Sequence, residues 1–515
     1  MKKKVFYSVI YLFLIGAIQM FGRSINIIPY PAKVTQGEGT FTISPETGIA
    51  CSENLQMSEK FYTEVLETAL GFHLIKEKGS KNLISLRVDE NLKLPDEGYR
   101  INVTAEKIEV SSSSPKGIFY GIQTLSQLML NDSDKENIKL PIVNIEDYPR
   151  FNWRGCMLDV SRTFMNKTLL KRYIDLMAYY KLNILHLHLI DDQGWRIEIK
   201  RYPRLTSVGS KFDAEFNEMG GYYTQEDIKE IVEYASLRNI TIVPEFELPG
   251  HECAAIAAYP ELSCRGVRPQ IHPFLMGPGI HEEIFCAGKT QTYEFIYNVL
   301  DEIMALFPSR YIHIGGDEAP KVEWKKCDHC QQAMRENNLN NEEELQSHFV
   351  KRIGDYLSRK GKILIGWDEI IDGGKLKGDE FVMYWRGWKT KEVAKAAQQG
   401  FKIISCPTTY CYFDYGYESI NTNKVYMYEP VPLDIPANIA ENYVGVQANF
   451  WSHINRSERG IDRQLFPRLF ALAEIAWSSS LNKDWHRFKR SAREHCIRLL
   501  ENQVDCYYDK SIYEP

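Results

Sequence analysis

The segment His313-Ile-Gly-Gly-Asp-Glu318 sets two carboxylates side by side behind two glycines. Glycines let a backbone and a ligand approach closely. Asp317 and Glu318 emerge from an apolar run, Tyr311–Ile314, that reads as a strand. A carboxylic acid in that position can protonate a leaving oxygen. Cleavage of a glycosidic bond needs such an acid, together with negative charge or a nucleophile at the anomeric carbon. Neighbours in an extended chain point to opposite sides, so the pair does not easily straddle one bond. The seventh candidate strand ends Ser405-Cys-Pro-Thr-Thr-Tyr410 and supplies no carboxylate directly, while Asp368, Glu369 and Asp414 stay open as partners. The pattern favours one residue as acid and its neighbour as the group that steers a nucleophile carried by the substrate.

Such residues need a frame. From about residue 150 onward, β-branched apolar runs alternate with helical stretches. The candidate strands are Gly155–Val160, Asn183–Leu189, Ile240–Phe246, Tyr311–Ile314, Lys362–Ile365, Glu380–Tyr384, Phe401–Ser405 and Tyr443–Ala448. Amphipathic segments such as Leu169–Tyr180, Gln225–Arg238 and Tyr293–Leu306 lie between them. This rhythm predicts an α/β fold with a (β/α)8 TIM barrel over residues 148–515. The rival, a doubly wound open sheet, would carry a Gly-rich phosphate loop after its first strand, and Asp159-Val-Ser-Arg162 is not one.

Every predicted strand end is polar or aromatic, and the C-terminal rim is where such barrels build their sites. Asp159 and Arg162 follow the first strand, Asp191, Asp192, Trp195 and Arg196 the second, and Glu245, Glu247 and His251 the third. Asp317 and Glu318 follow the fourth, then Trp367, Asp368 and Glu369, then Trp385, Arg386 and Trp388. Tyr412 and Asp414 follow the seventh, and Trp451 and His453 the eighth. Trp367, Trp385 and Trp451 could wall a pocket for a sugar face and a small apolar group.

Ahead of the barrel, residues 24–147 read as a small α/β (α+β) domain without evident chemistry, its role being to pack and stabilise. Its strands are expected at Thr40–Ile43, Ile84–Val88, Tyr99–Val103 and Lys107–Val110, and its helix at Gly117–Leu130, with Pro141–Asn152 as a linker. Lys2, Lys3 and Lys4 followed by an apolar run to about Phe21 read as a signal peptide over residues 1–23, and so as an exported, periplasmic or extracellular protein. A second apolar span is not evident, so a transmembrane segment is not expected after signal removal. The net charge of −6, without a long basic block, argues against nucleic acid as a partner.

No metal and no cofactor are expected. His186 and His188 share one side of a strand but sit among Leu185, Leu187 and Leu189, as core histidines with local hydrogen bonds do. Export would permit disulfides. Cys264 and Cys286 bracket a long polar loop and are the expected bridge, and at least one of the 11 cysteines must stay unpaired. Cys327-Asp-His-Cys330 resembles half a zinc site, but no second half has suitable spacing, so a local disulfide or two thiols is the reading there.

At these residues the chain resembles the family 20 glycoside hydrolases, the β-N-acetylhexosaminidases, across nearly its whole mature length. The motifs are Met157-Leu-Asp-Val-Ser-Arg162, His186-Leu-His-Leu-Ile-Asp-Asp-Gln-Gly-Trp195, His313-Ile-Gly-Gly-Asp-Glu318, Gly366-Trp-Asp-Glu369 and Pro467-Arg-Leu-Phe-Ala-Leu-Ala-Glu474. The resemblance implies exo-acting, retaining removal of terminal β-linked GlcNAc or GalNAc from glycans, the 2-acetamido group serving as nucleophile through an oxazolinium intermediate. This family is a known exception to the two-carboxylate rule. The resemblance makes Glu318 the acid and then the base, and Asp317 the partner of the acetamido N–H. Tyr412 would bind the acetamido oxygen, Trp367, Trp385 and Trp451 would enclose the group, Arg162 would bind O3 and O4, and Asp414 the O4/O6 side. Asp191 and His251 would tune the pair from behind, and Cys264–Cys286 would be a loop disulfide.

Two departures stand out. The family commonly has Asp where this chain has Glu247, within Pro244-Glu-Phe-Glu-Leu-Pro-Gly-His251. The usual Trp-x-Glu becomes Trp451-Ser-His453, which removes a carboxylate that normally grips hydroxyls around O4 and O6. His453 therefore opens the expectation of a modified sugar, such as GlcNAc sulfated at O6. The alternatives are a sugar-binding protein without turnover, a two-carboxylate glycosidase indifferent to the acetamido group, and a metal hydrolase using His186 and His188.

Overall fold

The structure is a computed structural model that describes residues 25–76, 82–129, 136–211, 220–271, 279–455 and 457–514. The predicted leader lies outside the described residues. Among those described, no helix is long and apolar enough to cross a membrane. The chain divides into two compact units, one reaching to Tyr148 and the other comprising Ile28–Tyr30 and Pro149 onward.

In the first unit a seven-stranded mixed sheet runs in the order Lys33–Ile43, Ile138–Asp147, Tyr99–Val103, Lys107–Ser112, Leu83–Val88, Gly48–Cys51 and Ile75–Lys76. Helix Pro115–Met129 contacts four of these strands. The expected linker needs correction here. Ile138–Asp147 is an inner strand, and its Ile138, Leu140, Val143 and Ile145 are buried while Lys139 and Asn144 are exposed. Pro141 misled because a proline removes a ladder donor. It is accommodated opposite Thr40, beside a register shift in the neighbouring strand.

The second unit is a closed parallel barrel. We label its strands β1 (Trp153–Asp159), β2 (Ile184–His188), β3 (Thr241–Glu245), β4 (Tyr311–His313), β5 (Ile363–Trp367), β6 (Phe381–Tyr384), β7 (Lys402–Ser405) and β8 (Tyr443–Phe450). The barrel closes where β8 pairs with β1, from Gly445 opposite Trp153 to Phe450 opposite Leu158. All eight strands lie where the apolar runs place them. β1 and β2 are buried along their whole length, as strands covered on both faces must be. Helices Lys167–Tyr179, Gln225–Ser236 and Thr290–Leu306 follow β1, β2 and β3. Asn166 and Thr224 start the first two with side-chain caps, Thr224 in a reciprocal pair with Asp227.

The cysteines depart from expectation. Cys264 and Cys286 are both thiols. Each belongs to a group of four sulfurs, with Cys286 3.7 Å from Cys327 and 3.6 Å from Cys330, so no single partner is selected. A disulfide does join Cys496 and Cys506, a pair at the chain's end that no motif marked.

Candidate active site

Glu245, the last residue of β3, is fully buried and collects the rim's polar side chains around it. Trp367 Nε1 donates to its Oε1 at 2.8 Å, and His313 Nδ1 lies 2.9 Å from the same oxygen. Its Oε2 bonds His188 Nδ1 and lies 3.2 Å from His186 Nε2. Burial alone would raise the Glu245 carboxyl, but the charge of His188 above all, with the His313 and His186 rings set against its two oxygens, holds it well below the usual range. His188 answers in kind. Burial pushes it down, yet Glu245 and Asp191 carry it up to about 10, whereas burial takes His186 down to about 4. One imidazolium and one neutral imidazole thus flank one carboxylate. The His-Leu-His pair is hydrogen-bonded core, with Gln447 Nε2 3.0 Å from His186 Nδ1.

From Glu245 the charges alternate outward. His188 Nε2 meets Asp191 Oδ2 at 2.9 Å. Asp191 Oδ2 receives Arg162 Nη2 at 2.8 Å, and Asp191 Oδ1 lies 3.3 Å from His251 Nδ1. His251 also hydrogen-bonds Asp192 Oδ2 at 3.2 Å, and its Nε2 lies 3.7 Å from Glu318 Oε2. Burial opposes charge on His251, but Asp191, aided by hydrogen bonds to Asp192 and Glu318, holds it well above the ordinary histidine range. Glu318 itself is open, its side chain 37% exposed. His251 and Glu318 both take positive φ, 54° and 44°. Residues other than glycine rarely hold that conformation, and it is over-represented at functional sites.

Asp317 is steered by a second carboxyl. Glu247 Oε1 accepts from the Gly316 N–H at 2.9 Å and from Leu248 N–H at 3.2 Å. Burial, then Asp317 and Glu245, drive Glu247 well above the usual carboxyl range. Glu247 is therefore neutral and hydrogen-bonds Asp317, which burial in turn raises. The longer side chain at 247 fits only because residue 315 is glycine: a Cβ there would sit 1.8 Å from Glu247 Oε1, at φ +64°.

The aromatic wall is continuous. Trp367 and Trp451 have ring centres 6.0 Å apart, Trp451 and Tyr412 6.2 Å, and Tyr412 and Trp385 6.2 Å, the last pair stacked. Arg162 lies over Trp451 at 4.7 Å. Trp385 Nε1 donates to Glu369 Oε2 at 2.8 Å. Burial, with Asp317 and Asp368 nearby, raises Glu369 well above the carboxylate range. Arg386 engages Asp368 through its Nε and its backbone N–H. Asp159 is tied by Arg162 and Ser452.

Several buried polar atoms at this rim have no partner: Asp317 Oδ1, Asp414 Oδ1, Arg162 Nε and His453 Nδ1. Buried polar atoms are nearly always satisfied, so unpaired ones gathered at one rim mark a place for a polar ligand. The residues expected from the sequence thus fall on one rim. The role of Glu245 was not anticipated. Glu245 and Glu247 lie two apart at a strand end, as do His186 and His188, and that shared spacing is the signal that could have found it.

This fold and rim define a (β/α)8 enzyme built around a supported Asp-Glu pair, and comparison with known proteins gives its family. Residues 151–480 match Glycosyl hydrolase family 20, catalytic domain, and residues 24–148 match Glycosyl hydrolase family 20, domain 2. The chain belongs to that family and is a glycoside hydrolase. It is 40% identical to a beta-hexosaminidase of Porphyromonas gingivalis over 507 residues, covering 94% of this chain and 64% of that protein. It thus spans less than two thirds of that relative's length. It is 32% identical to a beta-hexosaminidase of Vibrio furnissii, covering 87% of this chain and 76% of the relative. Among solved structures, a GH20 exo beta-N-acetylglucosaminidase from Vibrio harveyi in complex with N-acetylglucosamine superposes with TM-score 0.84 at 31% identity, covering 94% of this chain and 79% of that one. A beta-N-acetylhexosaminidase from Bacteroides fragilis gives TM-score 0.84 at 32% identity, covering 96% and 99%.

Asp414 supplies a pH test. Burial raises its carboxyl from 3.8 to about 7, against the smaller opposing pull of its own backbone, Arg468 and Arg162. The native state thus keeps a proton that the unfolded chain has lost, and stability falls as pH rises from about 4 to about 7. Asp414→Asn should unfold at a higher temperature than the parent above pH 7 and at the same temperature below pH 4, as read by thermal melts. A constant difference across that window would contradict the assignment.

Proposed function

We propose that the chain removes terminal β-linked N-acetylhexosamine, GlcNAc or GalNAc, from the ends of glycans with retention of configuration, using the substrate's acetamido oxygen as nucleophile. The observation that carries this reading is the state of the other carboxyls. Asp159 and Asp368 are held by arginines, Glu369 is raised and bonded to Trp385, and Asp414 is raised to about 7. None of these is a free anion ready to attack an anomeric carbon. Asp317, in contrast, offers a buried unpartnered oxygen between the neutral Glu247 and the aromatic wall.

In this reading Asp317 Oδ1 accepts the acetamido N–H and turns the carbonyl oxygen toward C1. Tyr412 donates to that oxygen, and Trp367, Trp385 and Trp451 exclude water and hold the methyl. Glu318, reached from solvent, protonates the leaving oxygen and then deprotonates the water that opens the oxazolinium. The His251 imidazolium behind it balances the charge Glu318 gains on losing its proton. Arg162 Nε and Asp414 Oδ1 are the unpaired atoms available to the O3, O4 and O6 hydroxyls. The named relatives are hexosaminidases, which agrees with this substrate class.

His453 bears on a second reading. Burial and the charge of Arg162 push its ring below the ordinary histidine range, and its Nδ1 is unpartnered. A neutral imidazole both donates and accepts, so it suits a plain hydroxyl. It also brings no negative charge to repel an ester sulfate at O6, and Arg162 stands nearby.

Aryl β-N-acetylglucosaminide hydrolysis should fall by about 10²–10⁴ in kcat/KM for Glu318→Gln, and the matching aryl β-glucoside should not be turned over by the parent. Comparable cleavage of both glycosides would contradict the reading. Introducing a carboxylate with His453→Glu should depress kcat/KM on a 6-O-sulfated aryl GlcNAc at least about tenfold relative to the plain sugar, through like-charge repulsion. An unchanged ratio would remove His453 from the O6 subsite.

A further inference from the structure

Outside the catalytic rim, four cysteine sulfurs from three separate stretches of chain meet at one point. The sulfurs of Cys264, Cys286, Cys327 and Cys330 all lie within 4.8 Å of one another. Cys264–Cys330, Cys286–Cys327 and Cys286–Cys330 measure 3.7, 3.7 and 3.6 Å. In a tetrahedral zinc site with Zn–S near 2.3 Å, neighbouring sulfurs stand about 3.8 Å apart. In a disulfide they stand about 2.05 Å apart, and each sulfur has one partner. Here Cys286 is equally close to two sulfurs, as is Cys330. We propose that these four cysteines form a tetrathiolate zinc site.

The local chain is built for close approach. Cys327 immediately precedes helix Asp328–Glu336 and Cys330 lies in its first turn, so both sulfurs face one side. Cys286 follows Phe285, which bridges Ser263, and its N–H bonds the carbonyl of Leu262 at 2.8 Å. That ties the Cys264 loop to the Cys286 segment. Gly288 lets this segment press on the Cys-x-x-Cys turn: a Cβ at 288 would lie 2.2 Å from the His329 carbonyl carbon and 2.4 Å from Cys330 N. Cys286, Cys327 and Cys330 are buried, and Cys264 is half-buried.

The chemistry balances without an oxidant. Four thiols lose four protons as they take up one Zn²⁺, leaving a centre of charge −2. Lys289 Nζ, bonded to the Ser263 carbonyl at 2.6 Å, supplies a cation beside it. Four soft sulfurs select zinc over hard ions, and with all positions filled the site is structural. Its place gives it a purpose. Phe285 N–H bonds the Pro249 carbonyl at 2.9 Å, and Trp324 Nε1 bonds the Phe285 carbonyl at 2.9 Å. This strut runs from the loop of His251 to the segment after Glu318. Zinc held by Cys286 and Cys327 pins the middle of this strut and its Trp324 end.

The test is the metal content of the full chain, purified without chelator, by elemental analysis and native mass spectrometry, together with alkylation of the denatured, unreduced protein. Zinc at about one per chain, lost in Cys330→Ser and in Cys264→Ser, is expected. After zinc is withdrawn, all nine described free cysteines should be alkylated, and cobalt added in its place should give the absorption of a tetrahedral thiolate complex. Four fewer alkylatable thiols, with no metal, would mean two disulfides and overturn the proposal. Free thiols that bind neither zinc nor cobalt would overturn it equally, as would iron in place of zinc. The parent protein decides the matter even if the serine variants fail to fold.

Discussion

The site depends on one buried anion. Glu245 sits fully buried at the top of the barrel, and an uncompensated carboxylate there would cost several kcal/mol. Its position is tenable because His188 carries a proton, His313 and His186 crowd the two oxygens, and Trp367 donates an indole N–H. Those partners come from β2, β4 and β5, so one carboxylate fixes three strand ends to the end of β3. Trp367, one face of the aromatic wall, is aimed by the same bond.

From that anchor the charges alternate through His188, Asp191 and His251 to Glu318, with Arg162 joined at Asp191. Each charge in such a chain is stabilised by its neighbours, and losing one leaves the next unpaired. Glu318 is the member most open to solvent. Beside it the Glu247–Asp317 pair follows the opposite logic: two carboxyls too close to ionise together, with the deeper one kept neutral. The outcome is an oriented Asp317 and an accessible Glu318, adjacent in sequence yet in different electrostatic surroundings.

Much of this was legible in the sequence. The barrel strands declared themselves by apolar runs ending in polar residues, because a parallel strand covered on both faces has little room for anything else until its end. The rim residues followed from that. Ile138–Asp147 was not legible as a strand, since Pro141 masks an alternation that is otherwise plain. Glu245 looked like one acid among many, because its importance lies in partners 57, 59 and 68 residues distant or more, a matter of barrel closure and not of spacing. The cysteine cluster was hidden for the same reason. Cys327 and Cys330 are one half of a pattern whose other half is two single residues on two other stretches of chain. The raised or lowered proton affinities of Glu247, Asp414 and His453 follow from burial, which no local motif reports.

The central claim is that the attacking oxygen belongs to the substrate and that Asp317 aims it. The most direct measurement is kcat across aryl β-N-acetylglucosaminides whose acetyl group carries none, one, two or three fluorines. Fluorine drains electron density from the carbonyl oxygen without changing the leaving group. The account predicts a steep, progressive fall in kcat along the series, with Asp317→Asn slow on every member. A flat response to fluorination would place the nucleophile on the protein or on water and contradict the account.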